Sequence, residues 1–487
     1  MIKIVLISML VALVAEIVYR WISTRIDSAK LNVLTNIVLA ICAIGLISLN
    51  AARVSDMNFW GDECFSINLA RMHFDEMLKA TAADVHPPLY YAWLMLLISV
   101  LGDSAWVIRL SAFIPYVLTV IFGLTIIRKE FGKRVSVLFI TFCSITDMAI
   151  KYNVEARMYS FAALMVLLSF FFMYQILEHG GSRACYVLFT VCSLGAAYLH
   201  YYALLAVAFF YLALLIIQWK NKKERKRVLI VYGLTILCYL PWLGQFLTTF
   251  QRTADSFWWD HICTLREITM TFWYSERDWY TYFMLCVFIM LCVAGVVQDK
   301  KNGILLVGIL SSLGVIVVGQ TASILIHPMF MTRYLYPILS VVWLVFCVLL
   351  VRNQHTKYLV LFFTCVTVMI YLPMYQMTCE TERNDNQKCK ETYLSMKSAL
   401  TDEDVILTNG NHLGWTVLKA YFPQNENTNA PLDAYEFESD KQYWLAWYRP
   451  VSDEEELELK KQGLDFTKVI DDGLLGDNSL YLYSIHE

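Results

Sequence analysis

Long runs of apolar residues recur along most of the chain and are separated by short polar stretches. Runs long enough to cross a hydrocarbon layer of about 30 Å lie at 2–19, 31–50, 106–127, 135–150, 155–177, 184–200, 203–219, 228–249, 281–298, 303–326, 335–351 and 358–376. The pattern predicts an all-α polytopic membrane protein with about 12 transmembrane helices. We interpret the first run as a retained helix because it lacks a basic leader beyond Lys3 and a small-residue cleavage site.

The composition of the chain supports the same class. Of the 487 residues, 58% are hydrophobic and only 17% are charged, which is unlike a soluble globular domain. The net charge of -3 offers no basic surface for nucleic acid, so nucleic-acid binding is excluded. No pair of the 13 cysteines has the Cys-x-x-Cys spacing of a zinc site.

Lys and Arg collect in short polar segments that are expected on the cytoplasmic side of the membrane. These segments are 20–30, 128–134, 220–227, 300–301 and 352–357. If the apolar run at 88–101 crossed the membrane, it would put these segments on opposite sides, and it is also short for a span. We therefore predict that it is a juxtamembrane helix within the first outer loop, 51–105.

With this topology, the other polar segments lie on the outer side of the membrane, among them a further loop at 250–280. The chain becomes more polar after the last apolar run and carries turn residues such as Asn409-Gly410. We predict a transmembrane domain at 1–377 and a small extracytoplasmic α/β domain at 378–487. Cys379 and Cys389 either pair in an oxidising space or stay free, and the sequence leaves both alternatives open.

Asp62 and Glu63 are adjacent carboxylates in the first outer loop, among aromatic residues and close to the end of a membrane helix. A carboxylate beside low-dielectric lipid can act as a general base. Alternatively, both residues form the ordinary acidic first turn of a helix. The two residues alone favour this simpler interpretation.

The first outer loop also contains Asp84-Val85-His86-Pro87-Pro88, in which the prolines favour an extended conformation at His86. Arg109 stands near the outer end of the next apolar run. A histidine can donate to a phosphate oxygen, and a guanidinium group is suited to bidentate phosphate recognition. The simpler alternatives are a histidine that caps a helix at the interface and an arginine that snorkels to the headgroups.

Glu155, Arg157 and Tyr159 open a later helix at its outer end, and Arg333 lies in another outer segment. Each residue alone fits an ordinary interface position. Independent interface residues would scatter over both sides of the membrane, whereas these carboxylates, histidines and arginines concentrate on one side. We therefore predict a polar site at the outer membrane boundary, suited to a reaction in which a lipid-linked phosphate leaves while an acceptor is deprotonated.

Three features occur in a fixed order along the chain: Asp62-Glu63, then Asp84-Val85-His86-Pro87-Pro88-Leu89 with Arg109 downstream, then Glu155-Ala156-Arg157-Met158-Tyr159. In these features the chain resembles GT-C type polytopic glycosyltransferases, specifically the protein O-mannosyltransferase and lipid A aminoarabinose transferase superfamily. The resemblance covers about 31–335 and does not identify the tail. An extra first helix and a tail without recognisable carbohydrate-binding repeats depart from part of the family.

The resemblance implies that Asp62 is the catalytic base, that Glu63 supports the acceptor or this aspartate, and that Glu155 is the second acidic position. His86 and Arg109 would contact the loop or the carrier phosphate. The predicted donor- and phosphate-binding residues are His86, Arg109, Arg157, Tyr159 and Arg333. The sequence requires no cofactor, and a divalent cation held by Asp62 and Glu155 is compatible with the wider class.

We therefore predict a multi-pass enzyme of the cell membrane, a hexosyl- or pentosyltransferase. Its donor would be a sugar linked to polyprenyl phosphate, and its acceptor a glycan, lipid or protein on the outer face, typically with inversion at the sugar. The alternative is a transporter or flippase for a lipid-linked sugar, in which the same charged groups line a pathway. The sequence favours the enzyme because the polar groups lie at loop ends and no paired halves with interrupted helices are visible.

Overall fold

The structure is a computed structural model and describes residues 2–256, 259–273, 278–298, 303–353, 359–432, 435, 437–438, 441–453, 456–457, 460, 463–476 and 478–486. Its α-helices are α1 (Ile2–Ser23), α2 (Ser28–Ala51), α3 (Gly61–Ala70), α4 (Phe74–Ala82), α5 (Leu89–Leu101), α6 (Ala105–Phe122), α7 (Arg128–Phe131), α8 (Lys133–Ile145), α9 (Asp147–Tyr152), α10 (Tyr159–His179), α11 (Arg183–Leu199), α12 (Tyr201–Gln218), α13 (Lys222–Ser256), α14 (Leu265–Phe272), α15 (Asp278–Gln298), α16 (Gly303–Leu325), α17 (Tyr336–Arg352), α18 (Val360–Ala399) and α19 (His412–Tyr421). Its strands are β1 (Val405–Leu407), β2 (Glu426–Thr428), β3 (Tyr443–Trp447), β4 (Asp465–Leu475) and β5 (Asn478–His486).

Within the described residues, 8 helical segments are long and apolar enough to cross a membrane. They are Ser28–Ala51, Ala105–Phe131, Tyr159–His179, Tyr201–Gln218, Lys222–Asp255, Gly303–Leu325, Thr332–Arg352 and Val360–Ala399. Shorter apolar helices cover Leu89–Leu101, Arg183–Leu199 and Thr281–Gly295. The all-α polytopic class is confirmed, whereas a total of about 12 transmembrane helices stays a prediction.

The apolar run at 135–150 does not form a single helix. α8 ends at Ile145, Thr146 is extended with φ -67° and ψ 156°, and α9 begins at Asp147. The carboxylate of Asp147 lies in the first turn of α9, where it interacts favourably with the helix dipole. The break coincides with Thr146 and Asp147, two polar residues that the mean hydropathy of the run 135–150 does not reveal.

The first outer loop contains α3, α4 and α5. α5 has 13 residues, which extend roughly 20 Å at 1.5 Å per residue and fall short of a hydrocarbon core of about 30 Å. This length fits the juxtamembrane helix expected at 88–101, and its position at the interface stays a prediction.

The chain packs as two compact units, each made of several segments. The membrane unit comprises Met1–Ala52, Leu78–Tyr90 and Leu110–Tyr375. The loop–tail unit comprises Arg53–Met77, Tyr91–Arg109 and Gln376–Glu487. The last division falls inside α18, close to the domain boundary predicted between 377 and 378. Much of the first outer loop therefore belongs to the same compact unit as the tail, which the sequence did not indicate.

The core of the membrane unit is built around α17. Side chains from Tyr336 to Leu350 are all buried, and α17 packs against α8, α10, α15 and α16. Gly308 permits the close approach of α16, because a Cβ atom there would lie 2.8 Å from Val341 of α17. Packing on every side holds α17 rigidly, and with it the segment that directly precedes the helix.

The loop–tail unit contains a 5-stranded sheet in the order β2-β1-β3-β5-β4. β1 is parallel to β2 and β3, whereas β5 is antiparallel to β3 and β4. Every residue of the central strand β3 is buried, and its Leu445 shares a hydrophobic core with Val405 and Leu407 of β1. The sheet and α19 confirm the small α/β domain predicted for the tail.

Helix α19 of the tail packs against α3 of the first outer loop. The Asn68 amide donates to the carbonyl of Thr416 at 2.8 Å. Directly after α3, an Nη atom of Arg71 donates to the carbonyl of Ala420 at 2.6 Å. These hydrogen bonds and the packing between the helices join the loop and the tail into one unit.

Cys379 and Cys389 lie on the same helix, α18, and both are free. Ten residues of α-helix rise about 15 Å, whereas a disulfide requires Cα atoms about 4.4–6.8 Å apart. The helix therefore excludes the pairing that the sequence left open.

Candidate active site

Asp62 and Glu63 occupy the first turn of α3, in the loop–tail unit. Trp60 precedes the helix in an extended conformation, and its N–H donates to Oε2 of Glu63 at 3.3 Å. The simpler interpretation, an acidic first turn, is therefore correct as a description of the local structure. It does not separate the roles of the two carboxylates, which differ in their surroundings: Glu63 is buried and Asp62 is half-buried.

Glu63 forms a buried ion pair with Arg109, with 2.9 Å between Oε1 and Nη1. The same guanidinium group donates from Nε to the carbonyl of Asp56 and from Nη2 to the carbonyl of Asn58, both at 2.7 Å. It also lies 4.8 Å from the ring centroid of Phe59. The resemblance implied that Arg109 contacts either the loop or the carrier phosphate. In the structure, its guanidinium group binds the loop.

His86 lies in the membrane unit, in the segment that leads into α5. Its side chain is buried, and Nδ1 lies 3.3 Å from Oδ2 of Asp84. Burial alone would raise the pKa of the Asp84 carboxyl, but the hydrogen bond and charge of His86 bring this pKa below its ordinary value. Asp84 is thus an ionised partner that orients the imidazole ring of His86.

Polar side chains of α13 hold the backbone on which Asp84 and His86 lie. An Nη atom of Arg252 donates to the carbonyl of Asp84 at 2.7 Å. The Gln245 amide donates to the carbonyl of Ala82. The path of this segment is therefore fixed by α13, and sequence reasoning gave neither Gln245 nor Arg252 a role.

His200 lies between α11 and α12 and is buried beside His86. The ring centroid of His200 is 5.7 Å from that of His86 and 5.0 Å from that of Tyr334. Burial lowers the pKa of His200 well below its ordinary value, and the charges of His86, Arg157 and Arg333 lower it further. His200 is therefore neutral in a region of positive potential.

Glu155, Arg157 and Tyr159 are buried at the start of α10. The N–H of Arg157 donates to the carbonyl of Glu155 at 2.6 Å, which tightens the turn before the helix. The Tyr159 ring centroid lies 5.7 Å from that of His200. Arg157 is also close enough to Asp84 for its charge to lower the pKa of that carboxyl. The structure thus brings this segment to the histidines.

Arg333 lies in the 3-10 turn Thr332–Leu335, directly before α17. Its guanidinium carbon is 5.7 Å from the ring centroid of Tyr334, and the Tyr334 ring stacks on Tyr202 with 5.2 Å between centroids. Because the charge of Arg333 also acts on His200, a second guanidinium group belongs to the same site as Arg157. We name this set the polar cluster: Asp84, His86, Glu155, Arg157, Tyr159, His200, Arg333 and Tyr334.

A cavity of about 290 Å³ adjoins the polar cluster. Most of its wall is apolar and comes from α12, α13 and α16, with Leu204, Phe246 and Ala322 as examples. The rings of His200 and Tyr334 complete the wall beside the cluster. A molecule with an anionic head and an apolar chain has the chemistry that matches both surfaces.

Sequence reasoning found five members of the polar cluster and missed three. It gave His200, Tyr334 and Asp84 no role of their own. Asp84 was recognisable, because it precedes His86 by two residues in a segment that proline keeps extended. Histidine and tyrosine are common at interfaces, so the other two carried no such signal.

The sequence required no metal, although a divalent cation held by Asp62 and Glu155 was compatible with the wider class. Asp62 belongs to the loop–tail unit and Glu155 to the membrane unit. Over the residues that the structure describes, no group of three or more His, Cys, Asp or Glu side chains is placed to hold a metal ion.

Comparison with known proteins identified a matching family model and several similar structures. Residues 85–244 match the family model described as dolichyl-phosphate-mannose-protein mannosyltransferase. The fold is similar to ArnT from Cupriavidus metallidurans in the apo state, with a TM-score of 0.61 and 12% identity over 94% of this chain and 98% of that chain. The same protein bound to undecaprenyl phosphate gives a TM-score of 0.59 and 11% identity over the same shares. No curated protein matches the sequence.

The matched segment 85–244 contains His86, Glu155, Arg157 and Tyr159. The likeness to ArnT extends over nearly the whole chain and, at 12% identity, is a likeness of fold. Together, the two findings confirm the predicted resemblance: residues 85–244 are similar in sequence to dolichyl-phosphate-mannose-protein mannosyltransferases, and the fold is similar to that of ArnT.

Proposed function

We propose that this protein transfers a sugar from a polyprenyl-phosphate donor to an acceptor on the outer face of the cell membrane. The observation that carries the proposal is the polar cluster next to an apolar cavity. Arg157 and Arg333 supply guanidinium groups suited to a phosphate, and the cavity suits the apolar chain attached to it. A protein of similar fold, ArnT, has been crystallised with undecaprenyl phosphate, which supports this choice of donor.

The guanidinium groups act on the leaving group. When the bond between the anomeric carbon and the phosphate oxygen breaks, negative charge grows on the departing phosphate. Fixed cations stabilise that charge more strongly than they stabilise the intact donor, so they lower the barrier. His86, oriented by Asp84 at 3.3 Å, is positioned to donate a further hydrogen bond. Glu155 is the candidate second acidic group.

Asp62 is the proposed general base. Of the two adjacent carboxylates, Glu63 is buried in the ion pair with Arg109, whereas Asp62 is half-buried in the first turn of α3. In a single displacement, the acceptor oxygen attacks the anomeric carbon, its proton passes to the Asp62 carboxylate, and the polyprenyl phosphate leaves with the bonding electrons. One displacement inverts the configuration at the sugar.

Release of free polyprenyl phosphate by the purified protein tests the proposal. Donors are polyprenyl-phosphate hexoses and pentoses, and the acceptor is an extract of outer-face glycans. We expect release by the wild type, inversion in the product, and a fall of about 10²-fold or more in Asp62→Asn. Asp75→Asn is the matched control, because Asp75 lies in the first turn of α4 in the same unit. Chelation of divalent cations in the same assay tests for a metal requirement.

Two results would contradict the proposal. Donor binding without release, for every donor and acceptor, would favour a transporter or flippase for a lipid-linked sugar. Undiminished release by the double variant Asp62→Asn with Glu155→Gln would remove both carboxylates from the reaction.

The outer location of the tail is tested by labelling in intact cells. Ser398 at the end of α18 and Ser28 at the start of α2 are both exposed. We expect Ser398→Cys to react with a membrane-impermeant maleimide in intact cells, and Ser28→Cys to react only after lysis. The wild type supplies the background from native cysteines, and the reverse pattern would place the tail in the cytoplasm.

A further inference from the structure

The backbone segment that leads into α3 is held along one edge by Arg109. Its guanidinium group donates hydrogen bonds to the carbonyls of Asp56 and Asn58, each at 2.7 Å. Carbonyl groups two positions apart lie on the same edge of an extended chain. The residue between them, Met57, therefore directs its carbonyl elsewhere.

The second edge of the same segment is held by Tyr421. The Tyr421 hydroxyl donates to the carbonyl of Met57 at 2.7 Å and accepts the N–H of Phe59 at 2.8 Å. A single phenol thus satisfies one backbone acceptor and one backbone donor. The Phe59 ring also packs against the Tyr421 ring, with 6.3 Å between centroids. Hydrogen bonds therefore fix the segment on both edges.

Tyr421 is the last residue of α19 and belongs to the tail. Its hydroxyl also lies 3.5 Å from Sγ of the buried Cys389. Burial raises the pKa of the Tyr421 hydroxyl well above its ordinary value. The group stays protonated and keeps its donor proton for the carbonyl of Met57.

We propose that Tyr421 is a positioning residue for Asp62, acting through the backbone of Met57 and Phe59. This inference rests on the proposed role of Asp62 as general base. The residues held by Tyr421 end three positions before Asp62, so their path sets the point at which α3 begins. The tail thus contributes to the reaction through the backbone of the loop.

The test compares Tyr421→Phe with Tyr443→Phe. Each change removes one buried phenol of the tail and keeps the ring. The Tyr443 hydroxyl accepts the N–H of Glu438 at 2.7 Å within the tail, so its loss leaves the segment before α3 untouched. We expect kcat of Tyr421→Phe to fall about 10- to 100-fold, because a displacement of about 1 Å at a catalytic group costs that much. We expect its donor KM to stay within about twofold, and Tyr443→Phe to keep the wild-type kcat.

Amide hydrogen exchange of the segment 56–63 supplies a measurement that does not depend on activity. Tyr421→Phe removes the acceptor of the Phe59 N–H, so we expect this amide to exchange about five- to tenfold faster. Tyr443→Phe leaves that hydrogen bond in place and is expected to exchange like the wild type.

The outcomes separate the inference from the proposed function. If the wild type transfers sugar and Tyr421→Phe has an equal kcat and equal exchange at Phe59, the positioning role is wrong. A loss of kcat that Tyr443→Phe reproduces, with no change in exchange, would also overturn it, because general loosening of the tail would explain both. An inactive wild type would contradict the proposed function itself.

Discussion

Arg109 and Glu63 form an ion pair in which both side chains are withdrawn from solvent, with exposed fractions of 9% and 2%. The guanidinium group also binds two backbone carbonyls of the loop. Loss of either partner would leave a buried charge uncompensated, which costs more than the pair itself contributes.

Glu63→Gln is therefore expected to lower the free energy of unfolding by about 3–5 kcal/mol. The measurement is denaturant or thermal unfolding of the purified protein in detergent. Glu456→Gln is the control, because Glu456 pairs with Lys460 at exposed fractions of 42% and 48%, and such pairs contribute at most about 1 kcal/mol. Equal effects of the two substitutions would show that burial does not decide the strength of the Arg109–Glu63 contact.

Arg157→Lys and Arg333→Lys test phosphate recognition in the polar cluster. Lysine keeps the charge but loses the planar, bidentate arrangement of donors, so each variant is expected to raise the dissociation constant for polyprenyl phosphate about tenfold. Equilibrium binding of radiolabelled polyprenyl phosphate measures the change. Arg352→Lys is the control, because Arg352 ends α17, the helix that Arg333 precedes. Equal affinities in all three variants would remove the guanidinium groups from phosphate binding.

His200 predicts a dependence of stability on pH. Its pKa in the folded protein lies well below 6.5, so the unfolded chain binds more protons as the pH falls below that value. The stabilisation is complete above about pH 6.5 and is lost on acidification by up to about 1.4 kcal/mol per pH unit, until the folded-state pKa is reached. Unfolding measured from pH 8 to pH 5 checks the slope. His200→Gln should flatten it, whereas a substitution at the exposed His412, His412→Gln, should not; a slope unchanged in His200→Gln would contradict the assignment.

Ala322→Phe tests whether the cavity holds the apolar chain of the donor. The added ring occupies space in a cavity of about 290 Å³. We expect the KM for a long-chain polyprenyl donor to rise about tenfold, and the KM for a short-chain analogue to rise less. Ala184→Phe, at an exposed position near the start of α11, controls for the aromatic substitution. An equal rise for both chain lengths would show that the chain binds elsewhere.

The membrane class was predictable because lipid allows only apolar, internally hydrogen-bonded segments to cross it. The same reasoning failed at Thr146, where a helix ends inside the mostly apolar run 135–150. Hydropathy predicts whether a segment lies in lipid or in water. It does not predict this helix end, which depends on the backbone conformation of one residue. Hydropathy also did not predict that the first outer loop packs with the tail.

The residues of the site that could be predicted are those whose side chains are costly to bury beside lipid. Ionisable residues such as Arg157 and Glu155 are rare beside lipid, so their concentration on one side of the membrane suggested a function although each residue alone did not. His200 and Tyr334 are ordinary at an interface, and their contacts in the fold distinguish them, such as the 5.0 Å between their ring centroids. The different surroundings of Glu63 were not predictable, since they depend on Arg109, which lies 46 residues away.

The loop–tail unit joins parts of the chain that are made at very different times. The partner residues Phe59 and Tyr421 are 362 positions apart, and Asn68 and Thr416 are 348 apart. A ribosome completes the first outer loop long before it reaches the tail, and domains generally fold as their sequences emerge. The loop therefore cannot pack against α19 until most of the chain has been translated. A nascent chain that ends early would retain its apolar helices but would carry an acidic segment without its partners, so completion of synthesis is also the step that completes Asp62's surroundings.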